Sequence, residues 1–249
     1  MENKLLKKEI NWLLKEKHNN KLNEKAKKDI KKLEKGYPLA YLIGNQPFLN
    51  CKIDLKYKPL IPRPETEYWT EKVIDDIKNN RKQDIRCLDI FAGSGCVGIA
   101  ILKNIKGIKM DFADIKGKNL KQIKHNLKLN NIEGKHKFIK SNLFDRINDK
   151  YDYIFANPPY IAHNDKSIQL SVKKYEPKNA LYSKNNGLEI IEKFLRNANG
   201  YLNQDGKICI EFGYQQKKNI ETLLKKFKYE RYSFYKDQYG RWRWIEINK

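Results

Sequence analysis

From Arg86 onward the chain alternates two rhythms, and no other feature restricts its fold as strongly. Short apolar runs rich in strand formers occur at Arg86–Phe91, Ile108–Asp114, Lys137–Lys140, Tyr151–Ala156 and Lys207–Phe212. Between them lie stretches in which apolar residues recur with helical spacing: Cys96–Ile105, Lys116–Asn130, Leu188–Ala198 and Ile220–Phe227. The runs are too short for helices, and Gly, Asn, Asp or Pro bounds them, as expected of strands. Strand followed by helix followed by strand dictates a parallel sheet covered on both faces. A turn at Asn203–Gly206 precedes the fifth run, and Tyr229–Tyr235 and Arg241–Ile247 close the chain as two strands joined by Lys236–Gly240. That last pair reads as a hairpin, adding an antiparallel strand at one edge.

The front of the chain is organised differently. Leu5, Leu6, Ile10, Leu13 and Leu14 form one helical stripe, Leu22, Ala26, Ile30 and Leu33 a second, and His18-Asn19-Asn20 turns between them. Helices this short need a surface to dock on. Gly36, Pro38, Gly44, Pro47 and Pro59 then punctuate short apolar pieces, including Tyr41-Leu42-Ile43, so this stretch reads as a β-hairpin connector. Ile61-Pro62-Arg63-Pro64-Glu65-Thr66-Glu67 follows, its prolines holding the backbone extended before a helix starts at Glu65 or Thr66. The expected organisation is therefore 1–36 as a helical appendage, 37–60 as the connector and 61–249 as the main domain.

Composition removes several function classes. No apolar run approaches membrane-spanning length, and the first residues lead into a charged helix and not a signal sequence, so a cytoplasmic protein is expected. Cys51, Cys87, Cys96 and Cys209 are scattered without a C-x-x-C pair, which argues against both a zinc site and a disulfide framework. The four histidines lack a nucleophile or ligand partner at useful spacing, and no phosphate-binding Gly-Lys-Thr loop occurs. The net charge of +22 fits an acidic partner such as RNA or DNA. It also fits compositional bias, which is favoured here: only eight of the 52 basic residues are Arg, and the Lys are spread evenly instead of gathered into a footprint.

The strand ends carry the chemistry. Gly93-Ser94-Gly95 follows one strand and opens a helix, so backbone can approach a ligand there; a plain tight turn is the alternative. Asp114 ends the next strand, where a carboxylate can accept ribose hydroxyls or cap the following helix. Asn157-Pro158-Pro159-Tyr160 follows a third. Its prolines are stiff and lack N–H groups, so the loop offers carbonyl acceptors with few competing donors, beside an amide and a flat ring. That suits a planar NH2 group, although an Asn turn with a proline stop would have the same letters. Ligands of open α/β sheets bind beyond the strand tips, and these three pieces fall on one such edge.

These pieces resemble a known family. Residues 36–249, through Ile61–Glu67, Asn157–Ile161, Tyr175–Leu181, Gly187-Leu188 and Ile210–Tyr214, are similar to the peptide chain release factor glutamine N5-methyltransferases. These are class I S-adenosylmethionine-dependent enzymes. The resemblance implies a seven-stranded, Rossmann-like sheet, mostly parallel with one antiparallel edge strand. It implies that Phe91, Ala92, Gly93, Ser94 and Gly95 wrap the methionine part of S-adenosylmethionine, that Asp114 holds the ribose, and that Asn142 and Leu143 flank the adenine. Asn157 would touch both cofactor and substrate, with Pro158, Pro159 and Tyr160 completing the substrate site. Arg63 and Glu65 would shape its rim, or form an ion pair that fixes the connector. The implied reaction is methylation of the glutamine in the Gly-Gly-Gln motif of release factors, by a monomer that needs neither metal nor membrane and for which nucleic acid is optional. Glutamine methylation of a ribosomal protein and adenine N6-methylation of DNA or RNA remain as alternatives. The chain departs from the family in having Phe91-Ala92-Gly93 where Gly-Thr-Gly is usual, Asn142 in place of an acid, and a shorter helical front.

Overall fold

The computed structural model describes residues 2–79 and 84–249. Helices α1 (Glu2–His18), α2 (Glu24–Glu34) and α3 (Leu39–Ile43) lead into the hairpin β1 (Asn45–Phe48) and β2 (Cys51–Asp54). Next come α4 (Pro64–Asn79), β3 (Arg86–Ile90), α5 (Cys96–Asn104), β4 (Lys109–Asp114), α6 (Gly117–Leu129), β5 (Phe138–Lys140) and β6 (Tyr151–Ala156). A small excursion follows: β7 (Ile161–Ala162), α7 (Leu170–Tyr175), α8 (Lys178–Leu181), β8 (Tyr182–Ser183) and the single turn α9 (Lys184–Gly187). The chain ends with α10 (Glu189–Ala198), β9 (Leu202–Glu211), α11 (Lys217–Lys226), β10 (Arg231–Lys236) and β11 (Trp242–Asn248).

Seven strands form one sheet in the order β10-β11-β9-β6-β3-β4-β5. Five are parallel, and β11 runs against both neighbours. The expected α/β sheet with its antiparallel strand is thus present, with β11 placed between β9 and the outermost β10. Apolar side chains on one face join α4, α5 and α6 around Trp69, Ile99, Phe112 and Phe155; those on the other join α10 and α11 around Ile154, Phe194, Ile208 and Leu224.

Three local expectations are corrected. Tyr41-Leu42-Ile43 lies in a helix and not in the hairpin, because Leu39, Leu42 and Ile43 share a helical face that packs with Leu13 and Leu33. Gly44, at φ +93°, ends that helix in a conformation only glycine adopts freely. The Asn203–Gly206 turn lies inside β9 as a bulge: pairing with β6 jumps from Tyr151–Leu202 to Tyr153–Lys207, and Asp205 sits at φ +60°. The β7–β8 pair and helices α7 and α8 are additions the apolar pattern does not announce, since each element is too short to show a period. The hairpin itself turns through Leu49 and Asn50, both at positive φ, as a two-residue loop requires.

Register decides where the site sits. Ile90 pairs with Ala113 on one side and Ala156 on the other, and Ala156 pairs with Ile210. All four side chains belong to one apolar cluster. One residue further along each strand, in the same row, stand Phe91, Asp114, Asn157 and Glu211. The last core row is followed directly by a row that includes two carboxylates and an amide.

Candidate active site

Phe91 begins the turn after β3 at φ +64°, a region that costs a non-glycine residue about 1–2 kcal/mol. Its ring stacks obliquely on Phe194 at 6.0 Å, which helps to offset that cost. Gly93 and Gly95 also have positive φ, and a Cβ on Gly95 would press into Ile123 at 2.9 Å. The turn is anchored from two sides. The Gly93 amide donates to Asp114 Oδ2 at 2.9 Å, and Asn126 Nδ2 donates to the Ser94 carbonyl at 3.0 Å. Asp114 receives two further donors, the Lys116 amide on Oδ1 (2.7 Å) and Asn119 Nδ2 on Oδ2 (3.0 Å). Ligand acceptor and local cap were alternatives in the sequence; the carboxylate braces both the turn and the start of α6 and still lines an open cleft.

That cleft has a volume of about 240 Å³. Of the residues expected to bind cofactor, Phe91, Gly93, Asp114, Asn142, Leu143 and Asn157 line it; Ala92, Ser94 and Gly95 do not, being part of the framework of the turn. Pro159 lines it as well. Ile115, which the sequence did not single out, stands on its wall 55% exposed, an uncommon position for isoleucine. A carboxylate, four Asn amides (Asn119, Asn142, Asn157, Asn179) and apolar walls from Ile90, Ile115 and Leu143 fit a nucleoside carrying a polar tail.

Pro158 is buried, and Tyr160 lines a second cavity of about 680 Å³. Arg63 and Glu65 line neither cavity. Arg63 is ion-paired with Glu176, and Glu176 also accepts the Ile61 amide. This ties the connector to the segment whose Asn179 and Ala180 close the cleft.

The end of β9 holds a residue whose role the sequence did not reveal. Glu211 is 1% exposed. Its Oε2 accepts from Thr66 Oγ1 (2.6 Å), Trp69 Nε1 (2.7 Å) and Asn157 Nδ2 (3.1 Å), and its Oε1 accepts from Tyr160 Oη (2.9 Å). Burial raises its pKa above the ordinary carboxylate range, against the pull of the Thr66 and Trp69 donors and the charge of nearby Arg243. Burial likewise raises the pKa of the Tyr160 hydroxyl, with the Glu211 charge adding to it. Asn157 Nδ2 also donates to Thr66 Oγ1 at 3.2 Å. Thr66 belongs to the Pro-Arg-Pro-Glu-Thr-Glu stretch, so the partner that stretch delivers to the site is its threonine. The available signal was a lone acid ending an otherwise apolar strand, Ile208-Cys209-Ile210-Glu211-Phe212.

Residues 69–175 match the model of the methyltransferase small domain. The release factor glutamine methyltransferase of Lactococcus lactis is 33% identical over 219 residues, covering 87% of this chain and 79% of the relative. That of Buchnera aphidicola is 38% identical over 213 residues, covering 82% and 73%. The chain belongs to the release factor glutamine methyltransferase family. Solved structures agree on the fold. Ribosomal protein L11 methylase from Lactobacillus delbrueckii superposes with a TM-score of 0.57 at 20% identity, covering 81% of this chain and 88% of that one. As a member of the release factor glutamine methyltransferase family the protein is a methyltransferase, and the row Phe91, Asp114, Asn157, Glu211 is its candidate centre. Among the described residues no helix is long and apolar enough to cross a membrane.

Proposed function

We propose that the chain methylates the N5 amide nitrogen of the glutamine in the Gly-Gly-Gln motif of peptide chain release factors, using S-adenosylmethionine. One observation carries the reading. Asn157 lines the same cleft as Asp114, and its amide nitrogen is engaged by Glu211 and Thr66, so its oxygen is the atom left to meet a ligand.

In this reading Asp114 and Asn119 hold the ribose, Ile115, Asn142 and Leu143 hold the base, and the Phe91–Gly93 turn holds the amino-acid tail. Bound there, S-adenosylmethionine supplies a methyl group already activated by its sulfonium. What the chain must add is alignment, because a carboxamide nitrogen is a poor nucleophile with a delocalised lone pair. Asn157 Oδ1 and the Pro158 carbonyl accept the two N–H bonds of the substrate amide and turn its nitrogen toward the cleft. Holding reactants in line is worth roughly 7–11 kcal/mol in well-oriented systems. As the methyl carbon leaves sulfur, which keeps the electron pair of the broken bond, the amide nitrogen would take on positive charge until one N–H proton passes to water, and the two acceptors would stabilise that charge. Asn157 presents amide oxygen and no carboxylate to the substrate, which fits a neutral glutamine better than a lysine ammonium.

The test is transfer of labelled methyl to a release factor carrying Gly-Gly-Gln, to the same protein carrying Gly-Gly-Ala, and to DNA. Label on the first alone is expected. Equal label on the alanine form, or label on DNA only, would overturn the substrate assignment.

A further inference from the structure

The Asn157 side chain has a shape that is nearly unchanged when its oxygen and nitrogen exchange places. Packing therefore cannot choose which atom faces the cleft; only the groups behind it can. Those groups are two. Thr66 has a single hydroxyl hydrogen, and Glu211 Oε2 takes it at 2.6 Å, so toward Asn157 the Thr66 oxygen is an acceptor. Glu211 is an acceptor as well, and its three other partners, Thr66, Trp69 and Tyr160, all donate to it. Trp69 can do nothing but donate. Two acceptors facing one amide fix the NH2 toward them and leave the oxygen facing away.

Glu211 also reaches the other end of the loop, accepting from the Tyr160 hydroxyl at 2.9 Å. It lines neither of the two cavities described above. Its donors come from α4 and from the Asn157–Tyr160 loop, which its carboxylate joins beneath the tip of β6.

We infer that Glu211 is a positioning residue for methyl transfer: its buried carboxylate sets the Asn157 amide so that oxygen faces the substrate, and it tethers Tyr160 at the opposite end of the same loop. The inference rests on the proposed role of Asn157 as amide acceptor. It accounts for an acid standing at an apolar strand end, where an isolated charge is costly.

Glu211→Gln tests it. The isosteric amide keeps its oxygen toward Thr66 and Trp69, whose two hydrogens fill its lone pairs, and turns its NH2 toward Tyr160; the Asn157 NH2 loses the charged acceptor that fixed it, and the amide is free to turn over and present hydrogens to the substrate NH2. In the full chain, kcat toward a Gly-Gly-Gln release factor should fall about 10- to 100-fold, an effect of the size seen when one preorganised group at a reacting centre is lost. The Kd for S-adenosylhomocysteine by calorimetry and the melting temperature should stay close to wild type. The double variant Asn157→Asp with Glu211→Gln should recover about tenfold over Glu211→Gln alone, because a carboxylate presents oxygen whichever way it is turned. If Glu211→Gln does not fold, Thr66→Val replaces it, with a severalfold loss in kcat and unchanged S-adenosylhomocysteine affinity expected. Wild-type kcat in a folded Glu211→Gln variant, absence of rescue in the double variant, or wild-type kcat in Thr66→Val would each overturn the inference. A wild-type chain that transfers no methyl to the release factor would instead overturn the proposed function on which it rests.

Discussion

Asp114 and Glu211 are both buried carboxylates at the tips of parallel strands, yet they are satisfied in opposite ways. Two of the three donors to Asp114 are backbone amides of its own neighbourhood, Gly93 and Lys116, and its cleft side stays open. All four donors to Glu211 are side chains, and it lines neither of the two cavities. A carboxylate held by backbone keeps its place whatever side chains surround it, and so can serve a ligand. One surrounded by side chains spends its capacity on orienting them. On the proposed function, the site divides into a cofactor half braced by main-chain amides and a substrate half braced by side chains.

Exchanging the expected phenotypes would break this division. Asn157→Ala, on the substrate half, should lower kcat about 10²–10³-fold. Its S-adenosylhomocysteine affinity should change far less, by calorimetry. Asp114→Ala should do the reverse, weakening S-adenosylhomocysteine about 10- to 100-fold through loss of a charged acceptor, while kcat at saturating cofactor stays within tenfold of wild type. If both variants lost kcat and affinity in the same proportion, the two halves would be one unit.

Gly187→Ala sharpens the substrate side without removing a polar group. Gly187 has φ +85°, and a Cβ there would collide with the Tyr160 carbonyl. The loop must shift to make room, so kcat should fall about tenfold with cofactor affinity unchanged, consistent with the rate penalty of a displacement of about 1 Å. Wild-type turnover would mean that the position of Tyr160 does not matter.

The smallest effect concerns a third carboxylate, Asp89, which lies between the two in the sheet. Burial raises its pKa to about 7, opposed by the Gly98 amide and aided by the Asp114 charge. Its unfolded value is about 3.9. Between those values the folded state binds more protons than the unfolded state, so stability declines as pH rises from about 4 to about 7 and is level above that. Asp89→Asn should remove this decline and raise stability at pH 8 by on the order of 1–4 kcal/mol, read from urea melts. An unchanged pH profile would show that Asp89 is ionised in the fold at little cost.

Much of this architecture was legible because burial on both faces writes itself as an apolar run. Tyr151–Ala156 is buried throughout and was recognisable as a central strand. Asp114 and Asn157 were recognisable because each ends such a run. Glu211 ends one as well, but its partners lie far off in sequence: Thr66 is 145 residues away and Trp69 142. No local pattern encodes such a meeting; only the order of strands brings β9 beside β6 and under α4. Arg63 illustrates the same limit. Its short-range candidate, Glu65, was visible in the sequence, whereas its ion-pair partner Glu176 belongs to an excursion without periodicity. Phe91 shows the opposite case. A bulky residue stands where glycine is usual, and Phe91 occupies the left-handed region itself, its ring against Phe194.

The row formed by Asp114, Phe91, Asn157 and Glu211 has a further implication. Asp114 and Asn157 end strands with one strand between them, so roughly 10 Å separates them, twice the interval that hydrogen bonding imposes on neighbouring strands. Substitution can change what stands at either post but not the gap. The sheet acts as a ruler, and a methyl carrier that serves both posts must be cut to its graduations.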